Sequence, residues 1–142
     1  MIKEKRTVLF LCTGNSCRSQ MAEAIVNARL GDQWRAFSAG TEPSGYVHPL
    51  AIKALSEIGI QHEGMSKHTD EFREMDFDLV ITVCGDAAEK CPNWLGSGVK
   101  KHIGFNDPAD ATGSVEEKMA VFRRARDEIA KQIPIFLESR ES

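Results

Sequence analysis

The sequence lacks any apolar run long enough to cross a membrane, and its first residues, MIKEKRTVLFLC, lack both a signal-peptide apolar segment and a small-residue cleavage site. It also lacks a basic tract with interleaved aromatic residues, and its formal net charge is only -3. These absences argue against membrane insertion, export and nucleic-acid binding, and they favour a cytoplasmic protein. No repeat or linker divides the 142 residues, so we expect a monomer with one domain over residues 1–142.

Cysteine is scarce, but its four copies form two local pairs, Cys12 with Cys17 and Cys84 with Cys91. Without an export signal, a framework of structural disulfides is disfavoured. Catalytic, redox or metal-binding roles of the cysteines are favoured instead. The spacings Cys-x4-Cys and Cys-x6-Cys differ from the Cys-x2-Cys of structural zinc sites. The four histidines show no ligand spacing, and no role is assigned to them.

Hydrophobic patterns predict alternating strands and helices, with strands over residues 6–12, 34–40, 78–84 and 100–105 and helices over 17–30, 48–58 and from 114 onward. We expect Asn15 or Ser16 to cap the first helix. Ser114 and Glu117 form a capping box for the last helix, which Pro134 should kink or end. This order predicts an α/β fold, a three-layer sandwich with a four-stranded parallel sheet flanked by helices.

Three residues that can carry chemistry lie at or just after the carboxyl ends of predicted strands. They are Cys12, Cys84 and Asp107. Loops that leave the carboxyl ends of parallel strands gather along one edge of the sheet, where ligands bind. We therefore expect these three residues to converge in space.

Residues 12–19, CTGNSCRS, form a Cys-x5-Arg loop between a strand and a helix. Backbone N–H groups wrapped inward at the positive end of a helix dipole make an anion cradle, and Gly14 allows that conformation. Arg18 adds a planar fork of donors, and the same field stabilises the Cys12 thiolate as a nucleophile. The predicted oxyanion-binding residues are Thr13, Gly14, Asn15, Ser16, Cys17, Arg18 and Ser19. Cys17 is either a packed thiol or a spare thiol near Cys12.

The segment VLFLCTGNSCRSQMAEA resembles the low-molecular-weight protein tyrosine phosphatases, and FNDPAD, residues 105–110, resembles the Asp-Pro acid loop of that superfamily. The resemblance implies that Asp107 is the general acid. The alternative is a turn residue before Pro108, and the two roles are compatible.

The segment CGDAAEKC, residues 84–91, together with HIGFNDPAD and EEKMAVFRRARDEI, looks like the thioredoxin-coupled arsenate reductase branch of the superfamily. This resemblance, which runs from Thr7 to Ile133, implies that Cys12 attacks arsenate. It further implies a Cys12–Cys84 disulfide, then a Cys84–Cys91 disulfide that thioredoxin reduces, with no cofactor required. Ala109 and Asp110 follow the Asp-Pro pair where phosphatases usually have aromatic residues, which weakens the case for phosphotyrosine.

Two other functions stay open at this point. One is a low-molecular-weight phosphatase that acts through Cys12, Arg18 and Asp107, with Cys12 paired reversibly with Cys17. The other is a non-catalytic anion-binding or flavodoxin-like module, since a fold alone assigns no function.

The family resemblance also implies a candidate potassium site beside the loop, because some members bind this ion there. Its side-chain ligands would be Asn15, Glu23, Ser38 and Asp70. The alternative is that Asn15 and Ser38 only hold the loop, while Glu23 and Asp70 are solvated.

Overall fold

The computed structural model describes residues 5–84, 96 and 98–139 of the chain. The strands are β1 (Arg6–Cys12), β2 (Trp34–Gly40), β3 (Leu79–Thr82) and β4 (Val99–His102), and the α-helices are α1 (Arg18–Arg29), α2 (Pro49–Glu57) and α3 (Val115–Ser139). Two short 3₁₀ turns lie at Thr69–Phe72 and Pro108–Asp110. Within these described ranges, no helix has the length and apolar character that a membrane span needs.

The four strands form one parallel sheet in the order β2-β1-β3-β4. In its register, Leu9 lies between Phe37 of β2 and Val80 of β3. Residues 8–12 of β1 are all buried, as the apolar run in the sequence requires for a central strand covered on both faces. The predicted α/β fold with a four-stranded parallel sheet is confirmed.

Successive strand residues point to opposite faces of the sheet, and the two faces are covered differently. Val8 and Phe10 face a large core that is shared with α1, α2 and α3. Leu9 and Leu11 face a smaller cluster that includes Phe72 of the first 3₁₀ turn. Among the described residues, the third layer of the sandwich is therefore this turn with its aromatic contacts, and all three α-helices contribute to the other face.

The last helix begins as predicted, and of the two outcomes expected at Pro134, a kink or an end, the end does not occur. The N–H of Glu117 donates to Ser114 Oγ at 3.1 Å and the N–H of Ser114 donates to Glu117 Oε1 at 3.2 Å, so the capping box is confirmed. The helix does not end at Pro134 but continues to Ser139. Ile133 and Leu137 on either side of the proline are fully buried, and their packing outweighs the local preference of proline.

Replacement of Pro134 with alanine should stabilise the protein. Proline cannot donate to the carbonyl of Ala130, and its ring crowds that carbonyl. We expect the free energy of unfolding, measured by urea denaturation, to rise by about 1 to 3 kcal/mol. The control is Gln132→Ala at an exposed position of the same helix, for which we expect a change within about 0.5 kcal/mol. Unchanged or lower stability of Pro134→Ala would contradict this account of α3.

Candidate active site

The loop between β1 and α1 turns its carbonyl groups outward onto neighbouring segments. The hydrogen bonds run from Glu42 N to Thr13 O, from Ser44 N and Ser66 Oγ to Gly14 O, and from His48 N to Ser16 O, each at 3.0 Å. In a trans peptide the C=O and the following N–H point in opposite directions. The N–H groups of residues 14, 15 and 17 therefore face the inside of the loop, which is the geometry of an anion cradle.

Asn15 carries the unusual backbone conformation of the loop. It is fully buried. Among the described residues other than glycine, only Asn15 has a positive φ, 48°. Gly14 has no positive φ, and a Cβ built on it would meet its nearest neighbour, Ser16 Oγ, at 3.9 Å. The expectation that Gly14 supplies the conformational freedom was wrong. Asparagine tolerates the left-handed region because its short side chain can hydrogen-bond locally.

The side chain of Asn15 directs a hydrogen bond onto the thiol of Cys12. Its Oδ1 accepts from the backbone N–H of Lys67 at 2.8 Å, and this donor fixes the orientation of the amide. Its Nδ2 then donates to Ser19 Oγ at 2.8 Å, which leaves the Ser19 hydrogen directed at Cys12 Sγ, 2.9 Å away. Cys12 is only 2% exposed, at the end of β1. An O–H donor on a buried sulfur stabilises the thiolate relative to the thiol.

Cys17 lies in the same loop but in a different chemical environment. It is the N-cap residue of α1, and no side chain in the described part of the chain makes a capping hydrogen bond to this helix. The prediction that Asn15 or Ser16 caps it was wrong. The side chain of Asn15 hydrogen-bonds Ser19 and Lys67 instead, and Ser16 Oγ lies 3.4 Å from Cys17 Sγ. The backbone N–H groups at the start of α1 therefore remain directed at the loop. Burial raises the pKa of Cys17 to about 12, which favours a packed neutral thiol over a second nucleophile.

Arg18 connects the oxyanion loop to the Asp-Pro segment. Its guanidinium, with a side chain 3% exposed, donates from Nη1 to Phe105 O at 3.2 Å and lies 3.4 Å from Asp107 Oδ2 through Nη2. Asp107 Oδ1 accepts from Ala109 N at 3.0 Å and so caps the turn Pro108–Asp110. Asp107 is thus both a turn residue and a carboxyl group that faces the loop arginine, and its side chain is 28% exposed.

The structure places Cys84 at the same sheet edge as Cys12. Leu11 lies opposite Thr82, and Val83 N donates to Leu11 O at 2.9 Å, so Cys84 follows directly on the strand next to the one that ends at Cys12. Both cysteines are buried in one core cluster. Cys91 lies outside the described residues.

The four side chains expected to bind potassium all make other contacts in the structure. Asn15 Oδ1 already accepts two hydrogen bonds, and Ser38 Oγ donates to Glu23 Oε1 at 3.0 Å. Asp70 is 60% exposed and pairs with Arg73 at 2.9 Å. No group of three or more His, Cys, Asp and Glu side chains suited to a metal occurs within residues 5–84, 96 and 98–139. Potassium binding at these four residues stays a prediction.

Sequence reasoning missed several polar residues that contact the loop. His48 hydrogen-bonds the loop through its backbone and packs its ring on Phe122, with centroids 4.6 Å apart. Burial lowers the pKa of His48, against the attraction of Asp107. Gln20 and Lys67 bind Asn15 directly. These residues reach the loop only through the tertiary fold, and no spacing in the sequence marks them.

These contacts define the class of protein: a parallel α/β domain in which the loop after β1 brings a buried thiol, an arginine and a carboxyl group together at one sheet edge. The family model of the low molecular weight phosphotyrosine protein phosphatases matches residues 7–141. The chain belongs to this family.

Three similar proteins are informative. A curated protein of Bacillus licheniformis named "Arsenate reductase" is 50% identical over 141 residues, which is 96% of this chain and 99% of that protein. The crystal structure of an arsenate reductase from Archaeoglobus fulgidus has a TM-score of 0.78 and 30% identity, covering 92% of this chain and 98% of that one. A structure described as an arsenate reductase in the phosphate binding state also has a TM-score of 0.78 and 30% identity, covering 94% and 98%.

Glu23 should make stability depend on pH. Burial raises its pKa above the ordinary 4.5, against the attraction of the Lys67 ammonium, so the folded protein holds this proton more tightly than the unfolded chain. The stability that Glu23 contributes is complete below pH 4.5 and is lost as the pH rises through the raised folded pKa. Glu23→Gln cannot ionise and keeps an oxygen for Ser38. We measure the free energy of unfolding of both proteins by urea denaturation. From pH 4 to neutral pH, the value for Glu23→Gln should increase relative to that of the wild type. A difference between the two proteins that does not change with pH would contradict this account.

Proposed function

We propose that this protein reduces arsenate to arsenite, with Cys12 as nucleophile, Arg18 as an oxyanion-binding residue and Asp107 as general acid. The observation that carries the proposal is the second buried thiol, Cys84, beside Cys12 at the same sheet edge. Hydrolysis of a phosphate ester has no use for a second thiol, whereas reduction of arsenic needs two electrons.

The loop suits arsenate because arsenate is a tetrahedral oxyanion like phosphate. Inward N–H groups and the N-terminus of α1 present donors to the inside of the loop, and Arg18 at the start of that helix adds a guanidinium of the kind that suits such an anion. Relatives that cover nearly the whole chain are named arsenate reductases, and one such structure is described in a phosphate-binding state. Both comparisons support the proposal.

In the first step the Cys12 thiolate attacks arsenic and an As–O bond breaks. Asp107 delivers a proton to the departing oxygen, which leaves as water. The Ser19 hydroxyl lies 2.9 Å from Cys12 Sγ, where it can donate a hydrogen bond to the attacking sulfur.

In the second step the Cys84 thiolate attacks the Cys12 sulfur of the adduct. A Cys12–Cys84 bond forms, the S–As bond breaks, and its electron pair reduces arsenic(V) to arsenic(III), which leaves as arsenite. Two thiols are oxidised to one disulfide, which balances the two electrons gained by arsenic. The resemblance described above then assigns to Cys91 the attack on Cys84, and to thioredoxin the reduction of the Cys84–Cys91 disulfide. This sequence needs no further cofactor, and cytoplasmic location and a monomeric state stay predictions.

The proposal predicts that Cys84→Ser abolishes arsenate reduction. The assay follows NADPH oxidation in the presence of arsenate, thioredoxin and thioredoxin reductase, without phosphate. Cys17→Ser is the matched control, because Cys17 is a buried neutral thiol in the same loop, and we expect it to retain turnover. Absence of arsenate-dependent NADPH oxidation in the wild type, or full activity of Cys84→Ser, would refute the proposal.

The order of thiol steps can be read from trapped disulfides. After one turnover we expect mass spectrometry to find a Cys84–Cys91 bridge in the wild type and a Cys12–Cys84 bridge in Cys91→Ser. A Cys12–Cys17 bridge in both proteins would instead support the alternative, a phosphatase with a reversibly protected nucleophile.

The ion pair between Arg18 and Asp107 keeps the phosphatase alternative open, because hydrolysis needs only the loop, the arginine and the acid. Asp107→Asn retains an oxygen for Ala109 N but cannot donate the proton of an acid. We expect it to lower the kcat of the operative reaction by about 10²- to 10⁴-fold. If the protein is a phosphatase, aryl-phosphate hydrolysis will show this loss and will survive both Cys84→Ser and Cys91→Ser.

A further inference from the structure

His48 lies where four segments of the chain meet. It is the N-cap residue of α2, and its backbone N–H donates to Ser16 O of the oxyanion loop at 3.0 Å. Its ring packs on Phe122 of α3, with centroids 4.6 Å apart. The carboxylate of Asp107, in the Asp-Pro segment, attracts a proton onto the same ring. His48 therefore links the loop, two helices and the candidate general acid.

The side chain of His48 holds the start of α2 as a hydrogen-bond acceptor. Its Nδ1 accepts from the backbone N–H of Leu50 at 3.1 Å, one of the N–H groups for which a helix has no internal partner. A ring nitrogen that accepts carries no hydrogen, so the neutral ring has its hydrogen on Nε2. An imidazolium carries hydrogens on both nitrogens and accepts nothing. Protonation of His48 therefore breaks the cap of α2.

The backbone of His48 joins the same helix to the loop. Its N–H is bound to Ser16 O, and its carbonyl oxygen accepts from Ala51 N in the first turn of α2 at 3.0 Å. With the cap from Nδ1, three hydrogen bonds of this one residue connect the loop to the helix start. The position of the first turn of α2 relative to the loop is therefore set at His48.

The surroundings of the ring favour its neutral form. Burial lowers the pKa of His48 below its ordinary 6.5, against the attraction of the Asp107 carboxylate, and the Lys118 ammonium near the start of α3 lowers it further. The first turn of α2 contains no acidic residue that would oppose this. From the loop, the guanidinium of Arg18 pairs with the carboxylate of Asp107. The ring is therefore neutral at neutral pH and becomes charged only in acid.

Protonation of the ring has a second consequence, at Asp107. A general acid must hold a proton that it can deliver to the departing oxygen. Asp107 already lies 3.4 Å from the Arg18 guanidinium. An imidazolium at His48 adds a second cation near this carboxyl group, and a nearby cation favours the ionised carboxylate, which has no proton to give.

We propose that His48 is a positioning residue of this active site: its neutral ring caps α2 against the oxyanion loop and leaves Asp107 able to act as an acid, and its protonation ends both effects. This inference rests on the proposed function in that Asp107 is the general acid of the reaction. It does not depend on the order of the thiol steps, and it applies equally to arsenate reduction and to phosphate-ester hydrolysis.

The first test is a ¹⁵N NMR titration of the full chain that follows the ring nitrogens of His48 and the backbone amide of Leu50. We expect the hydrogen on Nε2 in the neutral ring, a titration midpoint below pH 6.5, and a shift of the Leu50 amide with the same midpoint. Lys118→Met removes an opposing cation and should raise the midpoint. Lys131→Met, at an exposed position of the same helix, is the matched control and should leave it unchanged. A Leu50 amide that does not follow the ring would contradict the inference.

The second test compares kcat/KM for arsenate in the wild type and in His48→Asn, in the NADPH-coupled assay. Asparagine is a good N-cap residue and does not ionise. Above about pH 7.5 we expect the two values to agree within about twofold, because the wild-type ring is neutral there. Over the first pH unit below the midpoint, the ratio of variant to wild type should rise about three- to tenfold, since the neutral fraction of His48 falls about tenfold per unit. The ratio cancels the pH dependence of arsenate and of the coupling enzymes.

A ratio that does not change with pH in a folded His48→Asn would reduce His48 to a structural cap and overturn the inference. If His48→Asn does not fold, Lys118→Met decides, because its higher midpoint should make activity fall at a higher pH than in Lys131→Met. Identical pH profiles of these two lysine variants then overturn the inference. If the protein hydrolyses an aryl phosphate and reduces no arsenate, the same ratios are measured with that ester, and the expected rise would support the inference while the proposed function fails. Turnover of neither substrate contradicts both.

Discussion

The hydrogen bond from the Lys67 backbone to the side-chain oxygen of Asn15 joins the segment after α2 to the loop between β1 and α1. It fixes which end of the Asn15 amide points at Ser19, and thereby which way the Ser19 hydroxyl points. It also holds a buried asparagine at a positive φ, a conformation that costs energy unless its surroundings stabilise it. The direction of the Ser19 hydroxyl towards Cys12 Sγ follows from this arrangement.

The parallel sheet determines which other residues lie close to this loop. Since β1 and β3 are adjacent and run in the same direction, the residues that follow them must lie at one edge. Arg18 then connects that edge to the Asp-Pro segment through Phe105 and Asp107.

The two cysteines of the loop show how local donors decide chemical character. Cys12 and Cys17 are equally buried, each 2% exposed. Burial raises the pKa of Cys17 to about 12, and the nearby Ser16 hydroxyl only partly opposes this effect. Cys12 receives a hydrogen bond whose direction is set by a chain of fixed donors. The same loop can therefore hold one sulfur as a nucleophile and the other as a packed neutral thiol.

The sequence by itself determined the α/β class, the ends of β1 and β2, the capping box at Ser114 and the Cys-x5-Arg loop. These features depend on neighbouring residues, and a periodic pattern or a local motif records them. Only the tertiary structure decided that Asn15 and not Gly14 takes the left-handed conformation, that α3 continues past Pro134, and that Lys67 reaches Asn15. Each of these depends on partners that the folded chain brings together from distant positions, and the energy of such contacts outweighs local preference without leaving a pattern in the sequence.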